Sequence, residues 1–234
     1  NKWFRCTVRL FEYLSEKGKD KFVMGMTDLG GNADILASFR KTENLLIDLI
    51  ESPEQVIEAL EKIDELWFRY YQSFYEIVKK NMEGISSWLE LWNCEKWYPL
   101  QCDFSAMISP RMFEKFILPS LQREAKWLDK SIYHWDGPGQ IPHLDLILEI
   151  PEIDGIQWVP GSGNPNCMDS RWYPLYRKIQ DKKKLLILTT WEPFDVNSLD
   201  KLSENVSPDG LLLTFCCRDK DEKNKILEKV SKLW

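Results

Sequence analysis

The chain has 234 residues, of which 44% are hydrophobic, and this is sufficient for one sizeable core, so a single domain over residues 1–234 is expected. Its net charge of -6 and its scattered basic residues are unsuited to a nucleic-acid surface, so no nucleic-acid partner is predicted. No apolar run approaches the roughly 18 residues that a membrane span needs, which predicts no membrane partner and a cytoplasmic location.

The first eighty residues read mostly as helix. Apolar residues at helical spacing predict three helices before residue 51, over residues 3–16, 33–39 and 43–50. A short strand, Lys21–Met26, and a loop that carries Asp28 separate the first two. Ser52-Pro53 is a helix-start signal, and the apolar residues after it recur every three or four positions until about Asn81, so a long one-sided helix is predicted there.

One strand and one helix are predicted between residues 85 and 130. The apolar and aromatic run Ile85–Trp92 reads as a strand, whereas residues 96–108 read as irregular. Ser109-Pro110 repeats the helix-start signal and opens a helix to about Asp129. Pro119 lies inside this helix and is expected to bend it.

The stretch Ser131–His143 is the part of the sequence around which the other elements are organised. A short apolar run meets a Gly/Pro break, and an amphipathic segment follows, which is the pattern of a buried strand, a turn and a helix. Both histidines of the chain, His134 and His143, fall in this stretch, and Asp136 lies between them. If the protein is an enzyme, its catalytic residues are expected in this stretch.

Strands and helices alternate from residue 154 to the end. Strands are predicted over residues 154–159, 184–191 and 210–216, and helices over residues 170–181, 196–205 and 219–233. The whole chain then contains about six βα units, which predict a parallel sheet covered by helices. An open doubly wound sheet and a (βα)8 TIM-type barrel both fit. No glycine fingerprint for nucleotide binding follows the first strand, so the barrel is favoured, with its N-terminal portion absent from this sequence.

A barrel of this kind builds its site from the residues at the carboxyl ends of its strands. The side chains predicted at those ends are Asp28, Glu90, Trp92, His134, Asp136, Trp158, Trp191, Glu192, Cys216 and Cys217. Carboxylates, imidazole, thiols and indoles together predict a pocket for a bulky, partly apolar small molecule. Glu90 would be costly to bury unpaired in an apolar strand, so it is either a site carboxylate or part of an ion pair.

Each of these residues also has a purely structural interpretation. His134 could bond to backbone at a strand end, and Asp136 could stabilise the turn before Gly137. Cys216 and Cys217 are adjacent, so at most one of them faces inward, and buried inert thiols are an alternative. The tryptophans could serve as core packing, with two or three of them at a ligand site.

Four stretches resemble the uroporphyrinogen decarboxylase superfamily, and in particular its decarboxylase-like branch related to cobalamin-dependent methyltransferases. They are Gly25–Gly31 with Ala33–Ala37, Asp103–Phe116, Trp135–Asp145 and Ile150–Gly161. The resemblance extends from about Lys21 to the end of the chain. It implies a (βα)8 barrel whose amino-terminal portion this sequence lacks.

The resemblance implies a metal site and a methyl-transfer activity. Corrinoid methyltransferases of the superfamily hold zinc with a His-x-Cys pair and a distant cysteine. The corresponding residues here are His134 and Asp136, with Cys217 or its neighbour Cys216 as the distant thiol. A carboxylate in place of a thiolate makes the ion a harder Lewis acid, which favours an oxygen ligand. A corrinoid protein is the implied partner, and a small methylated molecule the implied substrate.

The expected activity is metal-assisted methyl transfer between a small methylated substrate and a corrinoid or thiol acceptor. Glu90 or His143 would manage a proton. The residues expected to contact substrate are Asp28, Trp92, Asp103, Trp158 and Trp191. Decarboxylation of a porphyrinogen is an alternative, although the substrate-gripping arginines that the decarboxylases carry near their start have no counterpart here. A barrel that binds a ligand without turnover is a further alternative.

Overall fold

The computed structural model describes residues 1–191 and 194–234, so Glu192 lies outside the described residues. Contacts along the chain divide it into two units, Asn1–Ser131 and Ile132–Trp234. The single domain expected from composition stays a prediction. No helix within the described ranges has both the length and the apolar character needed to cross a membrane.

Four helices form the first part of the first unit. They are α1, Lys2–Gly18; α2, Asn32–Arg40; α3, Thr42–Glu51; and α4, Pro53–Lys79. The side chain of Asn1 caps α1 by accepting hydrogen bonds from two backbone N–H groups of its first turn. Pro53 occupies the first turn of α4, where its missing N–H costs no hydrogen bond. All four predicted helices are confirmed.

The strands predicted in the first unit are wrong in part. Lys21–Met26 forms only a single bridge, between Gly25 and Ser86, and no strand. The predicted strand Ile85–Trp92 is instead a small antiparallel hairpin, in which β1, Ile85–Ser86, pairs with β2, Trp92–Asn93. A turn interrupts the apolar run, and the composition of the run does not indicate it.

A strand and a modified helix complete the first unit. β3, Trp97–Gln101, lies in the region predicted to be irregular. The helix predicted from Ser109 is present as α5, Pro110–Met112, and α6, Leu118–Trp127, joined by a π-helical segment, Phe113–Ile117. Pro119 has no N–H to donate to the carbonyl four residues earlier, and the wider π turn lies where that bond is missing.

The second unit contains parallel strands that alternate with helices. The strands are β4, Lys130–Asp136; β5, Gly155–Val159; β6, Leu185–Thr190; and β7, Leu211–Phe215. Each strand pairs in parallel with the next along the chain, from β4 to β7. The helices are α7, Leu144–Leu148; α8, Tyr173–Asp181; α9, Ser198–Ser203; and α10, Lys220–Leu233. The predicted parallel sheet flanked by helices is confirmed, and the barrel stays a prediction.

Packing on the strands of the second unit follows from their composition. Tyr133, Trp135, Ile156 and Leu186 are fully buried, because a parallel strand with helices against it is shielded from water. Between β4 and α7 the chain forms a short 3-10 segment, Pro138–His143, after Gly137 with a positive φ of 77°. The strand–turn–helix pattern read around His134 is therefore present.

Candidate functional site

His134 and Asp136 lie together near the carboxyl end of β4. They are two residues apart on a strand, so their side chains leave the same face. Both are half-buried, and a potential ligand atom of each lies within 4.8 Å of one from the other. The Nδ1 atom of His134 is 2.6 Å from Oε1 of Gln157, its direct neighbour on β5. The Nδ1 side of the imidazole is thus held by Gln157.

A cavity of about 660 Å³ opens at the carboxyl ends of β4, β5 and β6. It is lined by Asp136, Val159, Pro160, Gly161, Ser162, Gly163, Asn164, Asn166, Cys167, Thr189, Thr190 and Trp191. This volume suits a small organic molecule. Among the described residues that line it, Asp136 is the one carboxylate, and there is no lysine or arginine. The cavity therefore suits a neutral or cationic ligand better than a polyanion.

The loop after β5 forms one wall of this cavity next to the Asp136 carboxylate. Gly161 has a φ of 77°, a conformation that residues with a side chain rarely adopt. A Cβ atom built there would lie 3.5 Å from Oδ1 of Asp136, so the glycine brings the loop backbone close to this carboxylate. The side chain of Asn164 donates a hydrogen bond to the carbonyl of Pro160, 2.9 Å away, which closes the loop.

Two buried polar side chains of the lining differ in their bonding. The Cys167 thiol donates to the carbonyl oxygen of Thr189 at 3.4 Å, and burial raises its pKa to about 12. This thiol is therefore protonated near neutral pH and is a poor nucleophile or metal ligand. Thr190 is 3% exposed, and its buried hydroxyl has no hydrogen-bond partner among the described residues. A ligand in the cavity could supply that partner.

The structure separates two tryptophans that were both predicted to contact substrate. Trp191 lines the cavity, and 68% of its surface is exposed. Trp158 is fully buried and packs against Trp135 and Trp172, with ring centroids 4.4 and 5.1 Å apart. Neighbouring residues on a strand point to opposite faces, so the side chains of Trp158 and Gln157 lie on opposite faces of β5. Trp158 lies at the predicted end of β5, but it is packed in the core and is not among the residues that line the cavity, so its contact with substrate stays a prediction.

The predicted thiol ligand does not join the pair on β4. Cys216 is exposed and Cys217 half-buried, and both follow the end of β7. Within the described residues, no group of potential ligands brings a cysteine to His134 and Asp136. The physical reason is strand order, because β5 and β6 lie between β4 and β7. Among the described residues of the second unit, the donors that this site offers a divalent ion are one imidazole and one carboxylate.

His143, predicted to act on a proton, is fully buried. It ends the 3-10 segment and directly precedes α7, close to the predicted position in the first helical turn. It is not among the residues that line the cavity of the second unit. A role in proton transfer stays a prediction.

Two predicted site residues lie in the hairpin of the first unit. Glu90 is exposed in the turn, where its φ is 59°, and its N–H donates to the carbonyl of Ser87. The premise that Glu90 is buried in a strand is therefore wrong. Trp92 lies on β2 and is 52% exposed. The roles of both residues stay predictions.

Two exposed aspartates of the first unit were also predicted to contact substrate. Oδ1 of Asp28 accepts hydrogen bonds from the Tyr98 hydroxyl at 3.1 Å and from a backbone N–H of its own loop. Asp103 begins a 3-10 turn, and its N–H donates to the half-buried carboxylate of Asp34 at 3.0 Å. Burial raises the pKa of Asp34, while the two N–H groups that it accepts from oppose this rise. Substrate contact by Asp28 and Asp103 stays a prediction.

Comparison with known proteins does not decide the family. No protein-family model matches the chain, and neither curated proteins nor solved structures give a match. The likeness to the uroporphyrinogen decarboxylase superfamily therefore rests on the four sequence stretches alone.

Sequence reasoning missed several residues of this site. Gln157, Thr189, Thr190, Asn164 and Cys167 were not singled out, although they contact His134 or line the cavity. One signal was present in the sequence, since Gln157 is a polar residue in the middle of an otherwise apolar strand. The contacts themselves depend on the pairing between strands, which the sequence does not contain.

Proposed function

We propose that the chain catalyses metal-assisted methyl transfer to or from a small substrate. The observation that carries this proposal is the His134–Asp136 pair on one face of β4, of which Asp136 lines a cavity of about 660 Å³. An imidazole and a carboxylate are ligands that zinc and related divalent ions accept. The family likeness supplies the reaction class, and the pair supplies a place for an ion.

Within this proposal, His134 and Asp136 are the residues that hold the ion. A divalent ion bound there would supply Lewis acidity for the heteroatom that carries or receives the methyl group. The hydrogen bond to Gln157 leaves Nε2 of His134 as the ligand nitrogen, an arrangement in which metal-binding histidines are commonly held. The buried hydroxyl of Thr190 would orient the substrate by hydrogen bonding, and the indole of Trp191 would cover it.

The acceptor in this proposal is a corrinoid on a partner protein or a thiol of a second substrate. The Cys167 thiol inside the cavity is a poor acceptor, because burial raises its pKa to about 12. Decarboxylation of a porphyrinogen is less well supported, since such a substrate carries several carboxylates. No basic side chain lies among the described residues of the cavity lining to bind them.

The test is a methyl-transfer assay with the purified chain loaded with zinc. Free cob(I)alamin serves as the acceptor, and methylated thiols, methylated amines and aryl methyl ethers serve as donors. The formation of methylcobalamin is followed by absorbance. We expect zinc-dependent transfer from at least one donor class, and a loss of about 100-fold in His134→Ala and Asp136→Ala.

Asp181→Asn is the matched control, because Asp181 is an exposed carboxylate at the end of α8. This variant should retain the rate of the unmodified chain. If the chain binds zinc and none of the donors reacts above the rate without protein, methyl transfer is contradicted. Ligand binding without turnover would then be the better account.

A further inference from the structure

A chain of polar side chains crosses four neighbouring strands of the second unit. His134 on β4 contacts Gln157 on β5 through Nδ1 and Oε1, which are 2.6 Å apart. The Nε2 atom of Gln157 donates to the hydroxyl of Thr189 on β6 at 3.0 Å. The hydroxyl of Thr214 on β7 donates to the same oxygen, also at 3.0 Å. Every link joins side chains of adjacent strands.

The direction of these hydrogen bonds determines which imidazole nitrogen carries the proton. A carboxamide has one oxygen, which only accepts, and one NH₂ group, which only donates. Because the NH₂ group of Gln157 is directed to Thr189, its oxygen is directed to Nδ1 of His134. Nδ1 must then be the protonated nitrogen, and Nε2 carries the lone pair.

Burial of the amide and the threonine strengthens the constraint on the direction of these hydrogen bonds. Gln157 is 1% exposed and Thr189 is 7% exposed, so water cannot replace a partner that is lost. The register of the strands also fixes the geometry, since His134 and Gln157 are direct neighbours across the β4–β5 pair. The amide is therefore held from one side by a threonine and presents its oxygen to the imidazole from the other.

We propose that Gln157, oriented by Thr189, is a positioning residue that fixes His134 as the Nδ1–H tautomer. Nε2 is then the ring nitrogen that carries the lone pair, which is the atom that would bind an ion or accept a proton. The selection of the tautomer does not depend on methyl transfer, whereas its consequence for metal binding rests on the function proposed above. The two parts can be tested separately.

The tautomer is measured directly by nitrogen NMR of the chain with isotope-labelled histidine. The spectrum is recorded without metal at about pH 8, where an ordinary imidazole is neutral. The chain has two histidines, so His134→Ala assigns the signals of His134 and leaves those of His143. We expect Nδ1 of His134 to carry the proton. An Nε2–H signal in the unmodified chain overturns the proposal without any further variant.

Variants then test the roles of the amide and the threonine. Gln157→Leu removes the amide, and His134 should shift towards the Nε2–H form. Thr189→Val should shift it in part, whereas Thr189→Ser keeps the hydroxyl and should retain the Nδ1–H form. Gln180→Leu is the matched control, because this glutamine of α8 bonds to backbone around residues 207–209 and not to His134. An unchanged tautomer in folded Gln157→Leu would contradict the proposal.

Titration with zinc alone separates this inference from the proposed function. Loss of a group that orients a metal-binding histidine typically weakens metal binding by about 10–100-fold, and we expect this for Gln157→Leu. If the unmodified chain binds no zinc, the metal-dependent function fails, while the NMR result still decides the role of Gln157. If zinc binds equally well to Gln157→Leu and to the unmodified chain, the metal-positioning role of Gln157 is contradicted.

Discussion

Trp158 should stabilise the second unit rather than bind a ligand. Its indole is fully buried, and its ring centroid lies 4.4 Å from that of Trp135 and 5.1 Å from that of Trp172. Replacing a buried tryptophan by alanine removes its packing and leaves a cavity, which costs about 3–5 kcal/mol. We expect Trp158→Ala to lower the free energy of unfolding by this amount.

Trp158→Phe separates the packing of the ring from the polar N–H group. The indole N–H is buried and has no acceptor among the described residues. A buried donor without a partner is penalised by about 1–3 kcal/mol, and phenylalanine relieves this penalty while it leaves a smaller void than alanine does. The two terms oppose each other, so the cost of Trp158→Phe should be at most about 1–2 kcal/mol.

Urea unfolding, followed by far-ultraviolet circular dichroism, measures both costs. Trp191→Ala is the matched control, because this tryptophan is 68% exposed and its loss should change stability by less than about 0.5 kcal/mol. If Trp158→Ala costs less than about 1 kcal/mol, the indole does not lie in a packed core. The position of β5 and the assignment of its two faces would then be wrong.

Three further predictions concern a buried acid, a lysine and a thiol. Burial, together with the charge of Asp64, raises the pKa of Glu124 well above 4.5. The folded chain then keeps a proton that the unfolded chain releases, so the free energy of unfolding should fall as pH rises above about 4.5, by at most about 1.4 kcal/mol per pH unit. Urea unfolding at several pH values should show that Glu124→Gln lacks this contribution. If the dependence of stability on pH is the same in Glu124→Gln as in the unmodified chain, the prediction is refuted. The ammonium of Lys184 donates hydrogen bonds to three backbone carbonyls before β5, at 2.6 to 3.2 Å. Lys184→Met should therefore lower the free energy of unfolding by about 1–3 kcal/mol in the same assay, and a change near zero would contradict these bonds. Cys217→Ser should leave zinc affinity unchanged in calorimetry, whereas a tenfold loss would restore the thiol as a ligand.

The sequence is informative where a local signal coincides with a long periodic pattern. Helix α4 was predicted because Ser52-Pro53 marks its start and apolar residues then follow its buried face for many turns. Strand β3 was missed because Pro99 lies within it, and proline cannot donate to a sheet. The hairpin was read as one strand because its turn is made by Glu90, a residue that rarely adopts a positive φ.

The candidate site was predictable only in part. His134 and Asp136 were found because a strand that ends at a Gly/Pro turn directs alternate side chains to one face. Gln157 and Thr189 were missed, and Cys217 was grouped with His134 and Asp136, because these relations depend on how β4, β5, β6 and β7 pair. Register and strand order arise from contacts between distant parts of the chain, and a single sequence does not specify them.

The most direct test of the His134–Asp136 site is a crystal structure of the chain grown with zinc, with anomalous diffraction recorded at the zinc edge. The account predicts one strong peak within about 2.0–2.2 Å of Nε2 of His134 and of a carboxylate oxygen of Asp136. Nδ1 of the same ring should remain bonded to Gln157. A zinc-containing crystal with no peak at this pair, or with zinc bound through Nδ1, would contradict the account.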